Sequence, residues 1–399
     1  MHHPAEATPL AGQFEAFALV CGTRYARICR AVSDDPELVA LAELSPPEQR
    51  RPNLLLAAVH DLLLAGAEHP LADHYPTVLE WRRDGAGADL RVARVAAEDD
   101  PDLEAEFADF CRAHRAELAL LLTTRATQTN EVGRSSALLP ALATVAARVT
   151  GPMALVDLGA AAGLNLLFDR YRYDFGSAGA AGPADSAVDL PCRLRTGTLP
   201  WIDPAGGRRR DPVADLASRL AGRRGVDQRP LDPADPDDAR WLLACQWPDD
   251  LVRFRRLRAA LTVADGATDG LGRPAAPVVA GDIVDDLGDL AGSFEPGASL
   301  CLLTTWVAAY LAPADQAALL DAVRRLGRDR PVHWVVAEQP VEVPALPLGT
   351  APDEHADPRA TAVALVTVDN HGERVERLAD MHPHGSWLRW YGGGETRPG

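Results

Sequence analysis

The chain has 399 residues, 47% of them hydrophobic and 24% charged, ordinary proportions for a folded protein with ample material for a core. A length well above about 250 residues predicts two domains. Lys and Arg number 40 against 57 Asp and Glu, and the resulting charge of −17 repels a phosphate backbone and argues against nucleic acid as a partner.

Six cysteines, at 21, 29, 111, 192, 245 and 301, show no Cys-x-x-Cys spacing, which fits reduced thiols in a cytoplasmic protein. The opening Met1-His2-His3-Pro4-Ala5-Glu6 lacks a basic segment followed by an apolar one, and no run approaches about 18 apolar residues, so no membrane partner is expected. The Arg-dense stretches, Arg208 to Arg210 and Arg253 to Arg258, read as solvated loop and helix faces.

From Leu10 to Val149, apolar residues recur every three or four positions, as in Phe14-Phe17-Ala18-Cys21, Leu54 to Leu64 and Phe107-Phe110-Cys111-His114. This predicts an all-helical domain over residues 1–149, either a cap over a substrate or a bundle that only supports the second domain. His60-Asp61, on an apolar helix, reads as a satisfied core pair. Thr127 to Ser136 differs, because burying Asn130, Glu131 and Arg134 together is expensive unless they pair or meet a ligand. They are candidates to hold an acceptor beside a cofactor; the other reading is a capped helix start with an Arg–Glu pair.

After Pro152, short apolar strands alternate with helices, the pattern of a mostly parallel α/β sheet, here over residues 150–399. Strands are predicted at Met153–Asp157, Val188–Leu194, Gly225–Asp227, Val278–Ala280, Leu300–Thr305 and His333–Ala337. Helices are predicted at Leu164–Tyr171, Asp211–Leu220, Asp237–Val263 with a break near Pro248, and Asp315–Leu326. Pro340 to Pro358 reads as loop, and an antiparallel hairpin closes the domain around Asn370-His371-Gly372. Ligands of such sheets bind outside the carboxyl ends of the strands, which draws attention to Asp157, Asp227, Asp282 and Trp306. Asp282 could equally cap a helix over Ile283–Leu287. His382-Pro383-His384 offers His384 as a substrate contact or general base; without Cys, His or carboxylate partners at motif spacing, no metal is expected.

The first strand runs into Asp157-Leu158-Gly159-Ala160-Ala161-Ala162-Gly163-Leu164-Asn165. Gly159 and Gly163 would let a nucleoside approach the backbone, and a helix beginning at Leu164 would offer free N–H groups. Ala161 breaks the dinucleotide pattern Gly-x-Gly-x-x-Gly, and the loop resembles the acidic residue-x-Gly-x-x-x-Gly of class I methyltransferases. That resemblance implies a Rossmann-like sheet binding S-adenosylmethionine on Asp157, Gly159, Ala161, Gly163 and Asn165. It also implies Asp227 on the ribose, Asp282 on the adenine and Trp306 beside the reacting atoms.

Thr129-Asn130-Glu131-Val132-Gly133-Arg134, the Asp157 to Asn165 loop with Leu166-Leu167-Phe168-Asp169-Arg170-Tyr171, His382-Pro383-His384-Gly385-Ser386-Trp387, and Pro52-Asn53-Leu54-Leu55-Leu56-Ala57-Ala58-Val59-His60 together resemble the bacterial domain-of-unknown-function family 2332 from about residue 14 to 391. It implies a methyltransferase-like sheet behind a helical domain and carries no activity of its own. The leading expectation is methyl transfer from S-adenosylmethionine to a small-molecule acceptor. The alternatives are other chemistry with the same cofactor and a catalytically silent nucleotide-binding regulator.

Overall fold

The structure, a computed structural model, describes residues 9–86, 100–202, 211–269, 272–350, 357 and 359–392. The Arg208 to Arg210 run, the opening hexapeptide and residues 351–356 and 358 of the predicted loop lie outside the described residues. The chain divides into two compact units, residues 1–129 with 235–258, and residues 130–234 with 259–399. The division thus falls at 129 instead of 149, and the polar segment 130–136 belongs with the sheet.

The first unit is helical: Leu10–Ala18, Thr23–Asp34, Pro36–Ala42, Pro52–Leu64, Pro76–Ala86, Leu103–Ala113, Arg115–Thr124 and, from the later segment, Pro236–Ala244. Asp-Pro pairs start several helices across the chain. Asp35 and Asp235 accept the N–H groups of Glu37 and Leu38 and of Asp237 and Asp238, while the proline presets the first turn; Asp211 does the same for Pro212–Arg219 in the second unit. Phe14, Ile28, Leu55, Phe107 and Phe110 fill the helical core.

Among the described residues the second unit carries twelve strands: β1 (Met153–Leu158), β2 (Arg172–Asp174), β3 (Ala180–Ala181), β4 (Asp189–Pro191), β5 (Arg193–Thr196), β6 (Leu220–Asp227), β7 (Val278–Ala280), β8 (Ser299–Thr305), β9 (Val332–Glu338), β10 (Thr361–Asp369), β11 (Gly372–Met381) and β12 (Trp387–Trp390). Nine of them form one sheet in the order β5-β12-β11-β10-β9-β8-β1-β6-β7, and β3-β2-β4 make a small second one. From β7 to β9 every pair is parallel; β9, β10, β11 and β12 then pair antiparallel, and β12 pairs parallel with β5. Chain order in the parallel part runs third, second, first, fourth, fifth, so it reverses between β1 and β8, where open α/β sheets leave a crevice.

The central strands are apolar on both faces because both are covered, and β1 and β9 are buried at every position. Val156, Leu158, Leu302, Trp334 and Val336 pack with Leu319 and Val323 of the helix Pro313–Asp329. Each such side chain contributes roughly 1.5–3 kcal/mol on burial. No helix among the described residues is long and apolar enough to cross a membrane.

Several sequence expectations need correction. Leu164–Tyr171 is not an α-helix but a 3-10 stretch, Leu164–Arg170, broken at Leu167. Val188–Leu194 is two strands in different sheets, β4 and β5, because Arg193 leaves the small sheet to bond Ser386 beside β12. Ile283–Leu287 is a turn leading into the helix Leu287–Gly292. The strand β12, which lies between β5 and β11, carries no period-two signal and was not expected.

Candidate functional site

At the reversal point, Asp157 of β1 stands opposite Gly225 of β6 and Leu303 of β8. The loop after β1 folds back on its neighbours: Gly159 and Ala160 donate to Val226 O at 2.8 and 3.0 Å, and Ala161 donates to Asp227 Oδ2 at 2.9 Å. Ala161 is thereby held at φ +50°. Trp306, just past β8, sits at φ +55°, and these two are the non-glycine residues in the left-handed region among the described residues. Such backbone persists where the surroundings over-determine it, and it clusters at functional sites.

The two glycines serve the chain's own packing. A Cβ on Gly159 would lie 2.2 Å from Val307 Cγ2, and one on Gly163 2.9 Å from Ala276 O, so the space expected for a nucleoside is filled by protein. The turn at Leu164 offers few free N–H groups either. Leu164 N–H donates to Asn130 Oδ1 at 3.4 Å and Leu166 N–H to Gly163 O at 3.0 Å.

Asp157 is 1% exposed, and neither carboxyl oxygen has a hydrogen bond of acceptable geometry. Burial pushes its pKa up to about 8, the Asp227 carboxylate adds to the rise, and the nearby Asn165 amide pulls it back. Asp157 is therefore largely a neutral acid at pH 7. Asp227 holds the loop through Ala161 and its own turn through Arg229 N–H at 2.9 Å. Asp282 accepts from Val284 and Asp285 N–H and from Gln228 Nε2 at 3.1 Å. Burial works to raise its pKa, but these donors outweigh it and the net shift is downward. Capping a turn is thus what Asp282 does here.

The polar segment reaches the same place. Asn130, Glu131, Arg134 and Ser135 are buried. Ser135 Oγ meets Asn165 Oδ1 at 3.4 Å, Asn165 Nδ2 donates to Thr305 Oγ1 at 3.2 Å, and Arg134 Nη1 donates to Thr305 O at 3.2 Å. The Arg134 guanidinium also lies 5.3 Å from the centre of the Trp306 ring, whose Nε1 donates to Thr361 Oγ1 at 2.8 Å. Glu131 accepts from Gly133 N–H at 2.9 Å and so caps the turn Val132–Arg134.

The C-terminal loop closes over this segment. Arg134 Nε donates to Pro383 O at 3.1 Å, and a Cβ on Gly385 would sit 2.0 Å from Gly133 O, so only glycine permits the approach. His384 donates its N–H to His382 Nδ1 at 3.1 Å, and the two rings meet edge to face at 5.4 Å. Three segments far apart in sequence, around residues 130, 160 and 384, are joined at the carboxyl ends of β1 and β8.

One residue here escaped the sequence reading. Glu338 ends β9 at 0% exposure; its Oε1 accepts from Val307 and Ala308 N–H at 2.9 and 3.0 Å, while Oε2 has no partner. Burial raises its pKa to about 7 against the opposing pull of those N–H groups and Arg134. A lone acid ending an apolar strand, at Ala337-Glu338-Gln339-Pro340, was the available signal. Beside the loop lies a cavity of about 450 Å³, lined largely by apolar residues including Ala162, Leu167, Leu231, Ala276 and Val278.

Residues 12–390 match the family described as "Uncharacterized protein conserved in bacteria (DUF2332)". The chain belongs to that family. No curated protein matches it. The match takes in all three DUF2332 segments that converge on the site, and Glu338 with them.

Proposed function

We propose that the sheet unit binds S-adenosylmethionine where its strand order reverses and transfers the methyl group to a small molecule. The observation that carries this reading is Asp157, a buried acid with the Asn165 amide beside it, beneath a strained loop at that point and next to a cavity within the size range of small-molecule sites. The residues fit the cofactor in part. Asp227 and Asp282 stand half-buried at the ends of β6 and β7, where an adenosine would offer hydroxyl and amino donors. Gly159 and Gly163 do not fit it, being filled by Val307 and Ala276. When bound, the cofactor supplies an electrophilic methyl group. The chain's work is then alignment of the acceptor and exclusion of water, with Asp227 and Asp282 on the cofactor side and Asn130, Glu131, Arg134 and His384 on the acceptor side.

The second reading is a regulator that binds an adenosyl ligand at the same place without turnover; the filled glycine positions bear equally on both readings. Calorimetric titration with S-adenosylmethionine and S-adenosylhomocysteine, using NAD as control, decides the common step. Saturable one-site binding of the first two is expected; absence of binding removes both readings. Release of S-adenosylhomocysteine during an acceptor screen then separates the enzyme from the regulator.

A further inference from the structure

Strands β5 and β12 gather basic side chains that the methyl-transfer reading leaves unused. β12 runs antiparallel to β11 and β5 parallel to β12, so both begin at the end of the sheet where β1, β8 and β9 finish. Arg193 stands opposite Trp387, and a bulge between the Leu388 and Arg389 pairings leaves Arg195 without an opposite residue on β12. Freed in this way, the Arg195 guanidinium lies 3.9 Å from the centre of the Trp387 ring, and that of Arg389 lies 5.7 Å from the same centre. The His382 ring stands 6.3 Å from Trp387 and 5.4 Å from His384. Trp387 is buried, whereas Arg193 and Arg195 are exposed, and neither of their side chains makes an ion pair or hydrogen bond with a described residue. Exposed arginines elsewhere, such as Arg112, Arg255 and Arg324, each hold a carboxylate. Asp380, in register with Arg389, is already taken: it accepts from Arg377 Nε and Tyr391 OH, each at 2.9 Å. Like charges on adjoining strand positions repel, so this arrangement costs stability unless an anion joins it.

We propose that the rim around Trp387 binds the phosphate group of a small molecule through Arg193 and Arg195, with Arg389 beside them. Stacking on the indole fixes the Arg195 guanidinium and leaves its in-plane N–H groups for a ligand, in a fork that matches the oxygens of a phosphate. Two guanidiniums without a carboxylate match the nearly two charges that a phosphate monoester carries at neutral pH. A carboxylate brings one charge and is held more weakly. His382 Nδ1 accepts the His384 N–H at 3.1 Å, which puts the ring proton of His382 on Nε2, as a donor. The net charge of −17 turns away a long polyanion, whereas a compact ligand feels chiefly the charges within a screening length of about 8 Å. This site does not depend on the methyl-transfer reading.

The test is titration of the full chain with inorganic phosphate, acetate and chloride at fixed ionic strength, read by calorimetry and by the rise in Tm. Phosphate should saturate one site, acetate should bind more weakly, and chloride should give no response. Arg193→Gln and Arg195→Gln change exposed side chains and so should fold; each should weaken phosphate about tenfold. Arg112→Gln, which removes an exposed arginine of the helical unit, should leave phosphate affinity unchanged. The titration needs no S-adenosylmethionine, so its outcome is separate from that of the cofactor reading. No phosphate binding, a chloride response equal to that of phosphate, or the same loss in all three variants means general charge screening and overturns the proposal.

Discussion

Asp157 and Glu338 make the sharpest claim at the scale of single residues. Each is a buried acid whose pKa is raised, so the folded state keeps a proton that the unfolded state releases near pH 4. The contribution of these two acids to stability is therefore fully present below about pH 4 and is lost as pH rises, through about 7 for Glu338 and about 8 for Asp157. Asp157→Asn should flatten much of that decline, because the amide has no proton to lose; Tm measured across the range reads it, and an unchanged slope would show that Asp157 ionises freely. Gly159 gives a second prediction. Its φ of +76° and the 2.2 Å approach of Val307 mean that Gly159→Ala strains the backbone and overpacks the site together. The cost should be about 2–4 kcal/mol by chemical denaturation. Gly163→Val meets Ala276 and Val278 likewise, so lost ligand binding in that variant would not by itself implicate the loop in recognition.

At the scale of elements, the site depends on how short irregular segments are pinned. The turn Val132–Arg134 is held by Glu131, by Arg134 on Thr305 O, and by the loop seated through Gly385. Glu338 holds the turn after β8 through two N–H groups, which fixes Trp306 between Arg134 and Thr361. These contacts cross strand boundaries, and local propensity encodes none of them. The 3-10 character of Leu164–Arg170 has a similar origin. Its apolar residues suit a helix, but Leu164, Asn165, Leu166, Leu167 and Phe168 are all buried, and Tyr171 and Tyr173 hydroxyls take Leu164 and Phe168 carbonyls, so tertiary demands override the regular turn.

On the scale of the whole molecule, the two units are interleaved in sequence. The segment 235–258 completes the helical core: Trp241, Leu242 and Leu243 are buried, and Trp241 Nε1 donates to Ala126 O at 2.9 Å. Expressed alone, residues 1–149 should lack a cooperative thermal transition, since that core would stand open. A sharp melt with dispersed amide resonances would contradict this.

The sequence by itself determined the alternation of strands and helices from 153 onward, the apolar β1 and β9, the C-terminal hairpin and the family, because each is written in local periodicity or in contiguous motifs. It also marked three of the segments that meet at the site. Only the tertiary structure decided that they meet, that the helical unit borrows residues from beyond 234, that Gly159 and Gly163 face protein, and that Asp157 and Glu338 sit buried with unpartnered oxygens. Those outcomes depend on contacts between residues tens to hundreds of positions apart, where burial and desolvation are set by neighbours that no local window contains.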